Sequence, residues 1–123
     1  MLRSAKDTAA ILTVLLNRSG QSRARVSATT IKTIATRRNL RSAFVQDLIM
    51  EMVEYAWILF ELDSGGYGAV QAKALEAAKT VTGKRYLTDE ERKAITTGTV
   101  DINEFYEEAA PSEEDEGSSD DEQ

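Results

Sequence analysis

The chain has no cysteine and no histidine among its 123 residues. Without cysteine there are no disulfides and no thiolate metal sites. Without histidine the commonest general base and the commonest metal ligand are both gone. The carboxylates that remain fall into no recognisable catalytic pattern. Binding rather than enzymatic chemistry is therefore expected, with no catalytic, metal or cofactor site assigned. Long apolar runs are missing as well. Ala9 to Leu16, behind Arg3 and Lys6, is too short to cross a membrane, and Asp7 breaks its likeness to a signal peptide. It reads as the buried face of a helix, and a cytoplasmic location is the default expectation. No internal repeat is visible.

What is present is polarised. The net charge of −6 conceals two unlike parts. Residues 1–50 hold nine Lys and Arg against two acids, Asp7 and Asp47. Residues 51–123 hold six Lys and Arg against nineteen acids. A basic half is where contacts to phosphate would be made. The acidic excess culminates after Pro111 in a stretch of Ser, Gly, Asp, Glu and Gln, with no apolar residue to bury. Residues 109–123 are accordingly expected to be a disordered acidic tail. It would serve for solubility or as an intramolecular DNA mimic.

Hydrophobic periodicity and punctuation divide the rest. A first helix is expected over Ser4 to Asn17, with Ala9, Leu12, Leu15 and Leu16 on one side. Arg23 to Val26 alternates and suits a short strand. Ser27 is a good N-cap for a second helix, Ala28 to Arg37, with Ile31, Ile34 and Ala35 turned inward. Small Ala35 permits a close helix crossing. Asn39 stands where the turn would take a left-handed residue, Leu40 would plug the corner, and Ser42 would cap a third helix reaching Tyr55. That helix carries Val45, Leu48, Ile49 and Met52 on one face. Trp57 to Leu62 and Tyr67 to Val70 read as a hairpin turning at Asp63-Ser64-Gly65-Gly66. A fourth helix, Gln71 to Val81, is expected to stop at Gly83, with Lys84-Arg85-Tyr86 as a connector. Thr88 and Glu91 form a capping box for a helix to Thr96, which Gly98 ends. A last turn or two, Asp101 to Glu108, would be anchored by Ile102, Phe105 and Tyr106.

From Ile31 to Val70 this pattern resembles the winged helix-turn-helix superfamily of DNA-binding proteins, over roughly residues 5 to 82. Asparagine in place of the usual turn glycine is a departure. The fold expected is mainly α with a small β-hairpin, a winged helix-turn-helix with additional C-terminal helices. Residues 1–82 would form the core with its fourth helix, and 83–108 a helical extension. The resemblance implies that the third helix lies in a DNA groove, its start making the base contacts. Arg23, Arg25, Lys32, Arg37, Arg38 and Arg41 would neutralise phosphates, and Ser42, Ala43 and Gln46 would face the bases. Glutamine can pair bidentately with adenine, although Gln46 also reads as an ordinary exposed helix residue.

Several features temper this. Asp47, Glu51 and Glu54 would repel phosphate, which confines contact to the helix start. The hairpin has no Lys or Arg between Trp57 and Val70, which leaves only Ser64 and the amides of Gly65 and Gly66 to meet a phosphate. Gly65-Gly66-x-Gly68 lacks the helix and lysine of a nucleotide-binding loop. Trp57 reads as core, Tyr67 as the closure of the hairpin, and Phe44 as packed. The function expected is sequence-specific duplex DNA binding by a small transcriptional regulator. A homodimer is expected through the helices after the hairpin (Leu75, Ala78, Val81, Ile95, Ile102, Phe105), because one short helix reads few base pairs. The alternative is a winged-helix adaptor that uses the third helix or the tail to bind protein.

Overall fold

Ser4 begins the ordered architecture. Its hydroxyl accepts the Asp7 amide, and helix α1 runs Ala5–Ser19 until Gly20 takes a left-handed conformation. The computed structural model describes residues 1–111; of the expected tail, Ala109 is the last residue of a helix rather than part of the tail, and the expectation for residues 112–123 lies outside the described residues. Strand β1 (Arg23–Val26) follows, then helix α2 (Ala28–Ala35), capped by Ser27, and helix α3 (Ser42–Val53). Strands β2 (Trp57–Glu61) and β3 (Tyr67–Gln71) form the hairpin, and a short helix α4 (Ala72–Glu76) leaves it. Beyond it come α5 (Gly83–Tyr86), α6 (Asp89–Thr97) and α7 (Ile102–Ala109). The chain is mainly helical with one small antiparallel sheet. It divides into two units, Met1–Lys79 and the residues from Thr80 onward. Among the described residues no helix is long and apolar enough to cross a membrane.

The sheet has the order β1-β3-β2, so the last strand in sequence lies in the middle. Arg23 pairs with Val70 and Arg25 with Gly68, while Leu59 faces Ala69 and Phe60 faces Gly68. Period-two alternation sends Trp57, Leu59, Tyr67, Ala69 and Val26 into the core. Arg23, Arg25, Ile58 and Phe60 share the outer face. The Phe60 ring lies over Gly68, where a Cβ would sit 2.6 Å from its Cζ. On the inner side α1 packs on α2 and α3, and α3 packs on β2. Leu12, Ile31, Leu48 and Met52 are fully buried between them. Trp57 ties the layers together: its ring is 1 % exposed, and its indole N–H donates to the Asn17 Oδ1 at 3.1 Å.

Several boundaries differ from expectation. Helix α2 stops at Ala35, and the left-handed residue of the turn is Thr36 (φ 53), not Asn39. The Thr36 and Arg37 amides fold back onto Thr33 and Lys32, which closes the helix two residues early. Ser42 is not a cap. Arg41 takes the extended cap conformation and makes no side-chain capping bond, so Ser42 is already helical. Helix α3 ends at Val53 rather than Tyr55, and left-handed Ala56 (φ 64) turns the chain into β2. Helix α4 ends at Glu76 rather than Val81. It buries nothing, and the β-branched run Thr80-Val81-Thr82 is a poor continuation. Gly83 opens a helix instead of ending one, because Thr82 accepts the Arg85 amide and caps it. Lys84-Arg85-Tyr86 is thus a helical turn. Leu15 is exposed on α1, and the buried positions go to Thr8 and Thr13. The Thr88–Glu91 capping box and the Gly98 stop form as expected. Ile102 and Tyr106 are exposed, which leaves Phe105 the partly buried residue of α7.

Two consequences can be measured. The Thr8 hydroxyl is fully buried with no hydrogen-bond partner among the described residues, a state that costs about 1–3 kcal/mol. Thr8→Val keeps the shape and removes the orphan. Thermal denaturation should show a rise of a few degrees; a fall would mean that the hydroxyl is bonded in solution. Tyr67 has its pKa raised above the ordinary 10.0, first by burial and then by Glu61, its cross-strand partner. The folded state therefore holds the phenol proton more tightly than the unfolded chain does. The stability it contributes is complete below pH 10 and is lost as pH rises through the folded pKa. Denaturant titrations should show a loss of stability above that pH that is smaller in Tyr67→Phe.

Candidate nucleic-acid interface

The turn between α2 and α3 is held by the N-terminal segment. A helix end leaves its last four carbonyls without partners. Here Lys32 and Thr33 are satisfied by the turn itself, and the chain start supplies the other two. The Arg3 amide donates to Ala35 at 2.9 Å and its guanidinium donates to the Ile34 carbonyl. In return the Thr36 hydroxyl donates to the Met1 carbonyl at 2.6 Å, and Arg37 donates from Nη2 to the Arg3 carbonyl at 2.9 Å. The Arg37 guanidinium also lies 3.9 Å from the centre of the buried Phe44 ring. Nothing in the sequence pattern singled out Arg3 for this duty.

This clamp sorts the expected arginines. Arg37, Arg38 and Arg41 do converge, lining one cleft of about 410 Å³ with Leu2, Thr36 and Asn39. Arg37 is half-buried and occupied by Arg3 and Phe44, so it is a brace rather than a projecting cation. Arg38 and Arg41 are exposed. Beside them α3 begins without a side-chain cap, so its first amides and its positive dipole end lack a local anionic partner. Ser42, Ala43 and Gln46 are all exposed along this start, followed by Asp47, Met50, Val53 and Glu54. Met50 (69 %) and Val53 (60 %) are exposed apolar residues, and helical spacing places both opposite Leu48 and Met52.

The remaining cations stand elsewhere. Lys32 is half-buried in the last turn of α2, where its charge complements the helix dipole. Arg23 and Arg25 are exposed on the outer face of the sheet. At the hairpin tip Gly65 and Gly66 have positive φ, but the Gly65 amide donates to the Leu62 carbonyl at 3.0 Å. The expected phosphate contact from that amide is therefore already spent within the turn. In the second unit, α6 and α7 enclose a cleft of about 340 Å³ lined by Glu90, Glu91, Asp101, Glu104 and Glu108. Its sign opposes any phosphate. No three side chains among the described residues are grouped to hold a metal ion.

Comparison with known proteins adds no relative: no family model, no curated protein and no solved structure matches this chain.

The clamp separates the arginines by stability. Arg37→Ala removes a hydrogen-bonded, stacked cation and should cost about 1–3 kcal/mol in denaturant unfolding. Arg38→Ala and Arg41→Ala should stay within about 0.5 kcal/mol of the parent, as exposed substitutions do. Equal losses at all three positions would contradict the division.

Proposed function

We propose that this chain is a winged helix-turn-helix protein that binds duplex DNA sequence-specifically, as a homodimeric transcriptional regulator of the cytoplasm. The observation that carries the reading is the exposed, uncapped start of α3 beside Arg38 and Arg41. Free amides at a helix N-terminus and two exposed cations suit a phosphate, and Gln46 one turn on suits a base edge. The element order helix, strand, helix, helix and hairpin, with β3 between β1 and β2, supports the same reading. Arg23 and Arg25 on the sheet would take a flanking phosphate in place of the cation-free hairpin tip. Binding is the chemistry proposed, with no catalytic step and no cofactor.

A second reading, a winged-helix adaptor, is favoured by a different observation. Met50 and Val53 stand exposed beside Asp47 and Glu54 on the same face of α3. Such a mixed apolar and acidic surface suits protein better than DNA.

Salt separates the two readings. Binding to random duplex DNA should weaken steeply with salt, with a log–log slope of about −0.9 per phosphate neutralised. Arg38→Ala and Arg41→Ala should each flatten that slope by about one contact. Gln46→Ala should cost roughly 1–3 kcal/mol on a site selected from a random pool while sparing nonspecific affinity. Salt-independent binding, or folded variants that bind as the parent does, would remove DNA as the partner and leave the adaptor.

A further inference from the structure

Helix α1 buries one side, Thr8, Ala9, Leu12, Thr13 and Leu16, against the core. Its other side is also apolar. Ile11, Val14 and Leu15 are 41 %, 45 % and 45 % exposed, and with Ala10 and Arg18 they outline a shallow concavity. On a helix of 3.6 residues per turn, Asp7, Ile11, Val14 and Arg18 follow one line, with Ala10 and Leu15 on either side of it. No other element of the unit covers this strip.

The order of residues along the strip is self-complementary under a two-fold axis. With two α1 helices antiparallel about a point between Leu12 and Thr13, each residue meets the one whose number completes the same total. Ile11 meets Val14, small Ala10 meets large Leu15, and Asp7 meets Arg18. All three matches then occur twice, and both ion pairs lie at the ends of the strip. The alternative, a parallel pairing, sets Asp7 against Asp7 and Arg18 against Arg18. An isologous interface of this kind requires a patch that complements itself.

We propose that the outer face of α1 is the self-association surface of this protein, pairing antiparallel with α1 of a second copy through Ala10, Ile11, Val14 and Leu15 and two Asp7–Arg18 ion pairs. The proposal rests on the homodimer reading above and moves its surface from the helices after the hairpin to α1. A strip of four apolar side chains lies well below the ~800 Å² per partner of a stable complex, so the dimer is a weak one, with a dissociation constant on the order of 10–100 μM. The charges fix orientation and register more than they add affinity.

The test uses charge reversal on the full chain, read by sedimentation equilibrium at low salt from micromolar to several hundred micromolar protein. Asp7→Arg and Arg18→Asp each set like charges together twice and should weaken the dimer about tenfold or more. The double variant D7R/R18D restores opposite charges in the same register and should recover most of the parent's association. Ile11→Asp, on the exposed side of the helix, should abolish it. Circular dichroism and thermal melts check that the variants remain folded. A parent that stays monomeric over this range overturns both the surface and the homodimer reading. A parent dimer that none of the variants weakens overturns the α1 surface alone and returns the interface to the C-terminal helices. Single variants that weaken with no recovery in the double variant overturn the antiparallel register.

Discussion

The satisfied C-terminus of α2 is the constraint on which the rest depends. An eight-residue helix has few carbonyls to spare, and its last two are met by the Arg3 amide and guanidinium, which belong to the segment leading into α1. The start of the first helix is thus bound to the end of the second. Arg37 returns the bond to the Arg3 carbonyl and stacks on Phe44, one turn into α3. Three helices are fixed around one turn by polar contacts at its rim, while Ala35, Ile31 and Leu48 fill it from below. The angle at which α3 is presented follows from this clamp as much as from the apolar core.

The clamp also explains the division of labour among the basic residues. A guanidinium that spans a carbonyl and an aromatic ring is costly to detach, since a hydrogen bond and a stacking contact are lost together. Arg38 and Arg41 have no such partners among the described residues and stand exposed. Concentrated positive charge at a turn is therefore two things here, a brace and a pair of free cations. Counting arginines does not distinguish them.

Features decided within a few residues were legible in the sequence. Ser27 and the Thr88–Glu91 pair announce their helices because a cap is a local hydrogen bond. Trp57 announces the inner side of the sheet because a large apolar ring within a strand seeks the core. Local signals did not suffice everywhere: Thr82 caps α5 by a bond three residues long, yet Gly83 beside it reads as a stop. Other departures are decided at a distance. Asn39 is intrinsically the better left-handed residue, yet Thr36 takes that conformation, with Arg3 bonded to the carbonyl before it and Met1 to its hydroxyl. Leu15 belongs to the apolar pattern of α1, but the pattern runs around more than half of the helix and cannot say which part faces inward. Within the basic cluster, position was readable from spacing, whereas exposure depended on contacts 34 residues apart, Arg37 with Arg3.

The placement of β3 in the centre of the sheet has a bearing on how the protein is made. Strand β1 is complete at Val26, but its partner β3 begins at Tyr67. At ribosomal speeds of about 5–20 residues per second, β1 waits roughly 2–8 s for that partner to be synthesised. Trp57 is similarly late for Asn17. The first two helices can form early, but the sheet and the layer that seals the core close only when the chain has passed Gln71. Until then β1 has neither side paired, and in the finished order β1-β3-β2 it remains an edge, where unpaired backbone can recruit other chains. Arg23 and Arg25, on either side of Ala24, make this one charged along half its length. Charge along an edge disfavours pairing with another chain.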